Sequence, residues 1–593
     1  MKVVLTIFSF LAFSLIALAQ TDTTQSKLKD SKLAQQAIRT VKRSPKPDNV
    51  AIVKSEDAFI PFEGKIIRNI IINKVGFEKS IYDSTRSFKN STTRLANAMH
   101  ANTREGVIRD NLFFRKNKPL NPYRVADNER HLRDLDFILD SKIEVCEVAG
   151  SSDSVDVEVF VRDVFSIGIR FDPEDMTAAR VDVYDVNLFG QGQRVQVNTL
   201  FDAERNPEFG MSMLYRKSSL GGSLINPSIG YTQINSGRSY GTENEHAYFI
   251  RLDRPLVSPY TRMAGGVEVS KNYSINNYEI DTAVFRKYRY HLEDFWVGYN
   301  MGIYNTVNSR ERHFLALRYF NQNFEQKPEQ AQEFTNPLYN NQQYLLGSIS
   351  FYEQNFYKTK YVYGFGRTED IPIGKTLTFT GGWSSEFGVD RSYLGFNTSR
   401  DFVTSKGNFY KMAAGGGSFF RDDKTEDTFI FANGQYYSRL CVSEAVKVRQ
   451  LVEGGYAQAF NNSLRPLLTL NNQLFGFRPD SLYTHKRAFL RTETTLFTNW
   501  KVAGFNFAGF VSLESAFLQV TPGENLTEKF IYGTTGGFRI RNENITFGTI
   551  EFRGYYFPTD VPGVDTFSFR ISTNVRLKYT STFVRPPSFV TYN

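Results

Sequence analysis

The 593-residue chain carries 71 Lys and Arg against 62 Asp and Glu, a formal net charge of +9, and 15% of it is aromatic at a mean hydropathy of −0.37. The basic surplus is small and spread along the chain, which argues against nucleic-acid binding, and two cysteines exclude a disulfide framework and a thiolate metal centre. No segment after the N-terminus has the roughly 18 consecutive apolar residues of a spanning helix, whereas many Phe and Tyr on a polar chain suit a barrel with aromatic girdles.

Residues 1–19 read as a secretory signal: Lys2, an apolar run from Val3 to Leu18, and the small-residue pattern Ala17-Leu18-Ala19 before Gln20. Residues 20–62, with Lys27, Lys29, Lys32, Lys42, Arg43, Lys46 and two prolines, read as a flexible polar linker. The character changes at Gly64. Lys65–Val75 is an Ile-rich strand, and Thr103–Phe114 carries Val107, Ile108 and Leu112 at helical spacing. Asn121-Pro122 is an N-cap followed by proline at the first helical position, and this second helix is expected to reach about Leu139. Strands follow at 141–148 and 154–164, so the order is β-α-α-β-β over one small domain, residues 63–164. Cys146 and Cys441 lie far apart and are expected to be buried thiols.

From Phe165 to Asn593 alternating apolar and polar segments recur, among them 180–185, 194–200, 266–273, 313–320, 376–380, 428–432, 488–497, 537–552 and 565–580. The last is the clearest. Phe567, Phe569, Ile571, Thr573, Val575, Leu577 and Tyr579 alternate with Ser568, Arg570, Ser572, Asn574, Arg576 and Lys578. A strand with lipid on one face and a wet lumen on the other has this pattern, so residues 165–593 are expected to form an all-β transmembrane barrel of about 16 antiparallel strands. Gln322–Gln343 reads as a long loop on the outer side. Pro586 and Pro587 cannot continue a ladder, so the stretch after Tyr579 is expected to fold away from the junction of first and last strands, or to plug it.

Two resemblances extend this reading. The stretch 107–145 with 155–164 resembles a POTRA (polypeptide-transport-associated) domain, which implies a periplasmic unit that receives client chains by strand addition to a sheet edge. The barrel resembles the BamA/TamA-type outer-membrane assembly family, also called the bacterial surface antigen family. The likeness rests on VYDVNLFGQGQRVQV at 183–197, RLDRPLVSPYTRM at 251–263 and GGFRIRNENITFG at 536–548. In the first of these, Asn187, Leu188, Phe189, Gly190 and Gly192 match the family's first-strand turn. The resemblance also implies a loop that dips into the lumen. Counting strands back from the C-terminus places it near 470–486, with Phe475, Gly476, Phe477 and Arg478 at the signature. Phe475 stands where the family has Arg, so Arg478 would have to supply the lock, with Glu493 or Glu514 as partner. Phe552-Arg553-Gly554-Tyr555 fits the signature as text but lies inside a strand.

The resemblance implies an outer-membrane assembly or translocation factor of a Gram-negative bacterium, a short member of its family. Its N-terminal domain would sit in the periplasm, and clients would enter at the seam between first and last strands. The implied partners are outer-membrane lipid, unfolded outer-membrane or secreted proteins, and periplasmic or lipoprotein accessory subunits, with no nucleic acid, no cofactor and no enzymatic step. Two alternatives stay open. One is an anion-favouring channel with Arg570, Arg576 and Lys578 in the lumen. The other is an outer-membrane phospholipase, for which His291 and His313 are the residues to test.

Overall fold

The computed structural model describes residues 42–43, 53–75, 101–173, 177–236, 244–301, 310–328, 339–444, 446–464, 468–470, 474, 483–502, 504–520, 527–543, 548–558, 564–575 and 584–590. The signal sequence, Phe475–Arg478, Leu577 and Tyr579 fall outside these residues.

The N-terminal unit runs β1 (Ile66–Val75), α1 (Glu105–Arg109), α2 (Pro122–Asp134), β2 (Ile138–Glu147) and β3 (Ser154–Asp163), the expected order. β3 is central, parallel to β1 and antiparallel to β2. Its alternate residues Val155, Val157, Val159 and Val161 are fully buried and pack with Ile67, Ile108, Val125 and Leu132 into one core. Asn121 caps α2 as expected: its side-chain oxygen accepts the Arg124 N–H at 2.9 Å, with Pro122 at the first position.

Both helices are shorter than expected. α1 is confined by side chains that serve other partners: the Thr103 hydroxyl donates to Asp163, and the Asn111 amide donates back to the Val107 carbonyl. α2 stops at Asp134, with Leu135 extended, because the consecutive apolar residues Phe137, Ile138 and Leu139 all enter the core, which a helical stripe cannot do. Phe59 is also in that core, upstream of Gly64. Cys146 and Cys441 are exposed, not buried; Cys146 lies near the end of β2 on the face away from the core.

Twenty antiparallel barrel strands follow among the described residues, not sixteen, besides the two-residue strand Cys441–Val442 that pairs with residues 447–448. They begin with β4 (Ile167–Pro173), β5 (Ala178–Asp185), β6 (Gln193–Asp202), β7 (Phe209–Lys217), β8 (Asn226–Ser236), β9 (Asn244–Arg254) and β10 (Met263–Ile275). The far wall is β11 (Arg289–Met301), β12 (Glu311–Gln326), β13 (Gln342–Thr359), β14 (Glu369–Glu386), β15 (Val389–Val403), β16 (Phe409–Arg421) and β17 (Lys424–Tyr437). The circuit ends with β18 (Val446–Phe460), β19 (Thr484–Val502), β20 (Phe505–Val520), β21 (Thr527–Arg541), β22 (Thr549–Tyr556) and β23 (Phe567–Val575). Each pairs with the next, and β23 comes back alongside β4, so the sheet is a nearly closed barrel. The extra strands come from tight hairpins. Phe387-Gly388 and Asp422-Asp423 each place two successive residues at positive φ, the signature of two-residue turns that use little chain. Residues 537–552, expected as one strand, span the turn between β21 and β22.

The barrel is polar inside and apolar outside. On β12, Arg312, Phe314 and Ala316 face inward and are buried, while Leu315 and Leu317 are exposed on the outer face. The largest fully buried side chains include Arg312, Arg391, Arg487 and Arg553, and the exposed residues include Leu394, Leu513, Phe530, Phe567 and Phe569. A soluble protein distributes these types the other way, so the outer face is one that lipid covers.

Candidate functional site

Three regions gather the functional side chains: the domain–barrel junction, the lumen wall, and the seam.

The junction is built on the turn from β5 to β6. Asn187 is fully buried; its side chain accepts the Gly192 N–H at 2.7 Å and donates to the Thr103 hydroxyl at 2.9 Å. Thr103 in turn donates to Asp163 through its backbone at 2.6 Å and its hydroxyl at 2.9 Å, so the end of β3, the approach to α1 and the barrel turn form one chain of hydrogen bonds. The Gly190 carbonyl accepts the Arg104 N–H at 2.8 Å. Gly190 has φ +70°, and a Cβ there would stand 2.2 Å from the Asn102 carbonyl oxygen, so no other residue fits. Leu188 and Phe189 complete the turn, with Phe189 exposed.

Beyond this turn, α2 lies across the mouth of the barrel at the domain end, and its charged face is buried there. Arg133 donates twice to Asp370 on β14, at 2.8 and 2.7 Å, and also reaches Glu129 at 2.6 Å and the Ser141 carbonyl at 2.7 Å. Glu129 also pairs with Lys358 of β13 at 2.5 Å, and Asp127 takes Arg310 at 2.8 Å and the Ser258 hydroxyl at 2.6 Å. The Arg130 guanidinium lies 4.3 Å from the ring centre of Phe356, and its N–H groups reach the Val257 carbonyl. Burial opposes the charge on Glu129, but Arg133 and Lys358 outweigh it and hold its pKa below the usual carboxylate range. Burial pushes Asp140, beside this cluster, up to about 6 against the pull of Arg133. Val53-Lys54 adds a short antiparallel pairing to Tyr357-Lys358 on the same rim, and Ser55 N–H donates to the Phe356 carbonyl.

The lumen wall near the seam holds a second buried charge network. Glu493 accepts from Arg539 at 2.6 and 3.0 Å and from Arg553 at 3.2 Å; Glu551 accepts from the same two arginines at 2.7 and 2.8 Å. The Phe510 ring lies 4.2 Å from one guanidinium and 4.3 Å from the other. Glu514 is buried nearby, accepting from Thr535 at 3.2 Å. Glu493 is therefore engaged by arginines of β21 and β22, and Arg553, inside a strand as the sequence pattern required, aims its side chain into the lumen. The sequence named Glu493 as a partner for Arg478, which lies outside the described residues, and did not point to Arg539 or Glu551; the two-residue spacing of Glu551 and Arg553 on an alternating strand was the available signal. Of the loop between β18 and β19, Leu468, Leu470 and Leu474 are buried, the last two against Phe489, Leu518, Ile531 and Tyr555 of the inner wall. These three described residues therefore lie against the inner wall.

At the seam, Phe567, Phe569 and Ile571 are exposed on the outer face. The pairing of β22 with β23 shifts register between Ser572 and Val575, so the strict alternation through Val575 is broken there. β4 and β5 have 7 and 8 residues, whereas β13, β14 and β19 have 18, 18 and 19.

His291 binds Glu325 at 2.5 Å and His313 packs edge-on against Phe351, so among the described residues neither is paired with a serine.

These features define a transmembrane β-barrel with a small α/β unit docked on its mouth. No family model matches the chain, and no curated protein matches it. Solved structures similar to it include BamA from Haemophilus ducreyi lacking POTRA domains 1–3, at 8% identity over 85% of this chain and 84% of that one, TM-score 0.30. They also include CdiB from Escherichia coli, at 9% identity over 91% and 95%, TM-score 0.38, and CdiB from Acinetobacter baumannii, at 10% over 91% and 79%, TM-score 0.36. Overlaps this loose carry no argument about family or role.

Proposed function

We propose that the chain is an outer-membrane assembly or translocation factor of the BamA/TamA type. Its POTRA-like unit would take client polypeptides on the periplasmic side, and its barrel would insert or pass them at the seam. The observation that carries this reading is the uneven wall. A strand tilted as in membrane barrels needs about 9–11 residues to cross the hydrocarbon core. β4 and β5, with 7 and 8, fall short of that, while the far wall exceeds it. Bilayer beside the seam must thin or deform to meet the short strands, which lowers the barrier for another strand to enter there. The N-terminal sheet offers β1 and β2 as edges; the start of β1 is covered by residues 117–120 and the Ile143 N–H of β2 is taken by Glu129, so a client strand would add along the remainder. Accessory subunits would bind this unit. The channel reading is disfavoured by α2 across the mouth and by chain inside the lumen.

The test is reconstitution. Liposomes carrying the protein receive a urea-unfolded outer-membrane barrel protein, and folding is followed by heat-modifiable gel mobility. We expect the folding rate to rise at least about tenfold over empty liposomes, a barrier lower by about 1.4 kcal/mol. Equal rates would refute the assembly role.

A further inference from the structure

Residues 584–590, Val-Arg-Pro-Pro-Ser-Phe-Val, lie inside the barrel. Val584 packs with Leu256, Ala264, Phe314 and Tyr352 near the domain end. Phe589 sits near the opposite end, in a cage of Tyr344, Tyr393 and Phe419, with ring centres 5.0, 4.9 and 5.0 Å away. Val590 packs with Phe429 and Phe431 of the wall and with Leu468, between β18 and β19. All of the caging residues belong to the lumen face, alternating with exposed outer residues such as Leu315, Leu345 and Leu394.

The wall is shaped for this segment. Arg318 donates to the Pro587 carbonyl at 3.1 Å while Asp294 fixes its guanidinium through two bonds of 2.8 and 2.7 Å. The Tyr393 hydroxyl accepts the Val590 N–H at 2.7 Å. Gly395 and Gly417 face each other across the β15–β16 ladder, and a Cβ at either would stand 2.3 Å from that hydroxyl. Their lack of side chains makes the room in which Tyr393 reaches the peptide backbone. Proline removes N–H donors that the lumen wall would have to satisfy, and Pro586-Pro587 holds the segment extended at little entropic cost.

We propose that this groove is a binding site for an extended peptide bearing a Pro-Pro step followed by a Phe-Val pair, and that residues 584–590 occupy it in cis as a removable plug of the lumen. The site does not depend on the assembly reading, because its test contains no client. In planar bilayers, with Asp370→Ala in every variant so that α2 does not close the mouth, the protein with its tail intact should show small, infrequent openings. A variant lacking residues 584–593 should conduct several-fold more, and the synthetic peptide VRPPSFVTYN added to that variant should return it to the low state. The same peptide with Phe589→Ala should block at least about tenfold more weakly, and Tyr393→Phe in the truncated barrel should weaken block by the intact peptide about fivefold, the worth of one hydrogen bond. Heat-modifiable mobility reports whether each barrel is folded; if the truncated chain is not, Phe589→Ala with Val590→Ala in the full-length protein takes its place and should raise conductance. Conductance unchanged by truncation or by the double substitution, or an open truncated pore that the peptide does not block, overturns the proposal.

Discussion

Asp370→Ala separates docking of the N-terminal unit from its folding. Asp370 belongs to the barrel and takes two hydrogen bonds from Arg133, and the two side chains are only 9% and 5% exposed. Removing one partner of a buried pair costs about 3–5 kcal/mol, because the other charge stays buried without compensation. Arg133 keeps Glu129 and the Ser141 carbonyl, so the lower end applies: about 3 kcal/mol, roughly two decades in the docked-to-undocked ratio. Hydrogen exchange reads this directly. The Ser55 amide bonds across the interface to the Phe356 carbonyl, whereas the Val125 amide bonds within α2. The substitution should speed exchange at Ser55 by about a hundredfold and leave Val125 protected. Unchanged exchange at Ser55 would refute the lock; equal loosening of Val125 would mean that Asp370 supports the fold of the unit instead. Arg133→Met with Asp370→Leu should recover much of the loss, since an apolar pair of similar volume avoids the desolvation that an ion pair must overcome.

Gly190→Ala should destabilise the junction by about 2 kcal/mol or more, through left-handed strain and the clash with the Asn102 carbonyl, seen as faster tryptic cleavage at Arg104 and Arg109; wild-type resistance would refute the close approach. Asp140 has a folded pKa of about 6, above the ordinary aspartate value of 3.8, so its contribution is complete below about pH 4 and is lost as pH rises through 6. Asp140→Asn should therefore be near neutral at pH 4 and stabilise the N-terminal unit by about 2–3 kcal/mol at pH 8, measured by exchange in β2; a gain confined to acid pH would refute the assignment. Glu493→Gln leaves Arg539 and Arg553 with Glu551 as their one carboxylate among the described contacts, and should lower the temperature of the barrel's mobility shift, at a cost of about 2–4 kcal/mol; an unchanged temperature would show the network contributes nothing to stability.

The fold was legible where the signal is local. Period-2 alternation with Arg and Lys on one face and aromatics on the other marked the barrel, and Asn121-Pro122 marked the start of α2, because each is decided by residues next to one another. The ends were less legible. Phe137, Ile138 and Leu139 continue the apolar count of α2 while belonging to β2, and only the core decides between them. Strand number was misread because an average strand and loop were assumed, whereas two-residue hairpins at 387–388 and 422–423 save chain. The contacts of the lumen were the least visible. Arg133 meets Asp370 across 237 residues and Arg318 meets Pro587 across 269, and nothing at either position announces its partner. The turn Asn187–Gly192 was found as a motif, but its role in holding the domain depends on Thr103 and Asn102, which carry no pattern of their own.

The two things that occupy the barrel are held by different physics, and this bears on how it opens. The tail is held by aromatic contacts and two backbone hydrogen bonds, which any extended peptide of like chemistry can reproduce. The helix is held by charges buried on both sides, an arrangement that specifies one docked geometry strongly while adding little net stability over an apolar contact. A ligand shifts such an equilibrium only by its differential affinity for the two states. A segment that competes for the lumen groove therefore acts on the tail alone, and it can free α2 only if its bound form also clashes with Arg130 against Phe356 or Arg310 against Asp127. The two closures are then separable: Asp370→Ala should release the helix with the tail in place, and removal of residues 584–593 should clear the groove with the helix still docked. A barrel in which either change released both would have one closure, with the tail and the helix coupled through the lumen wall between Phe356 and Tyr344 on the same strand, β13.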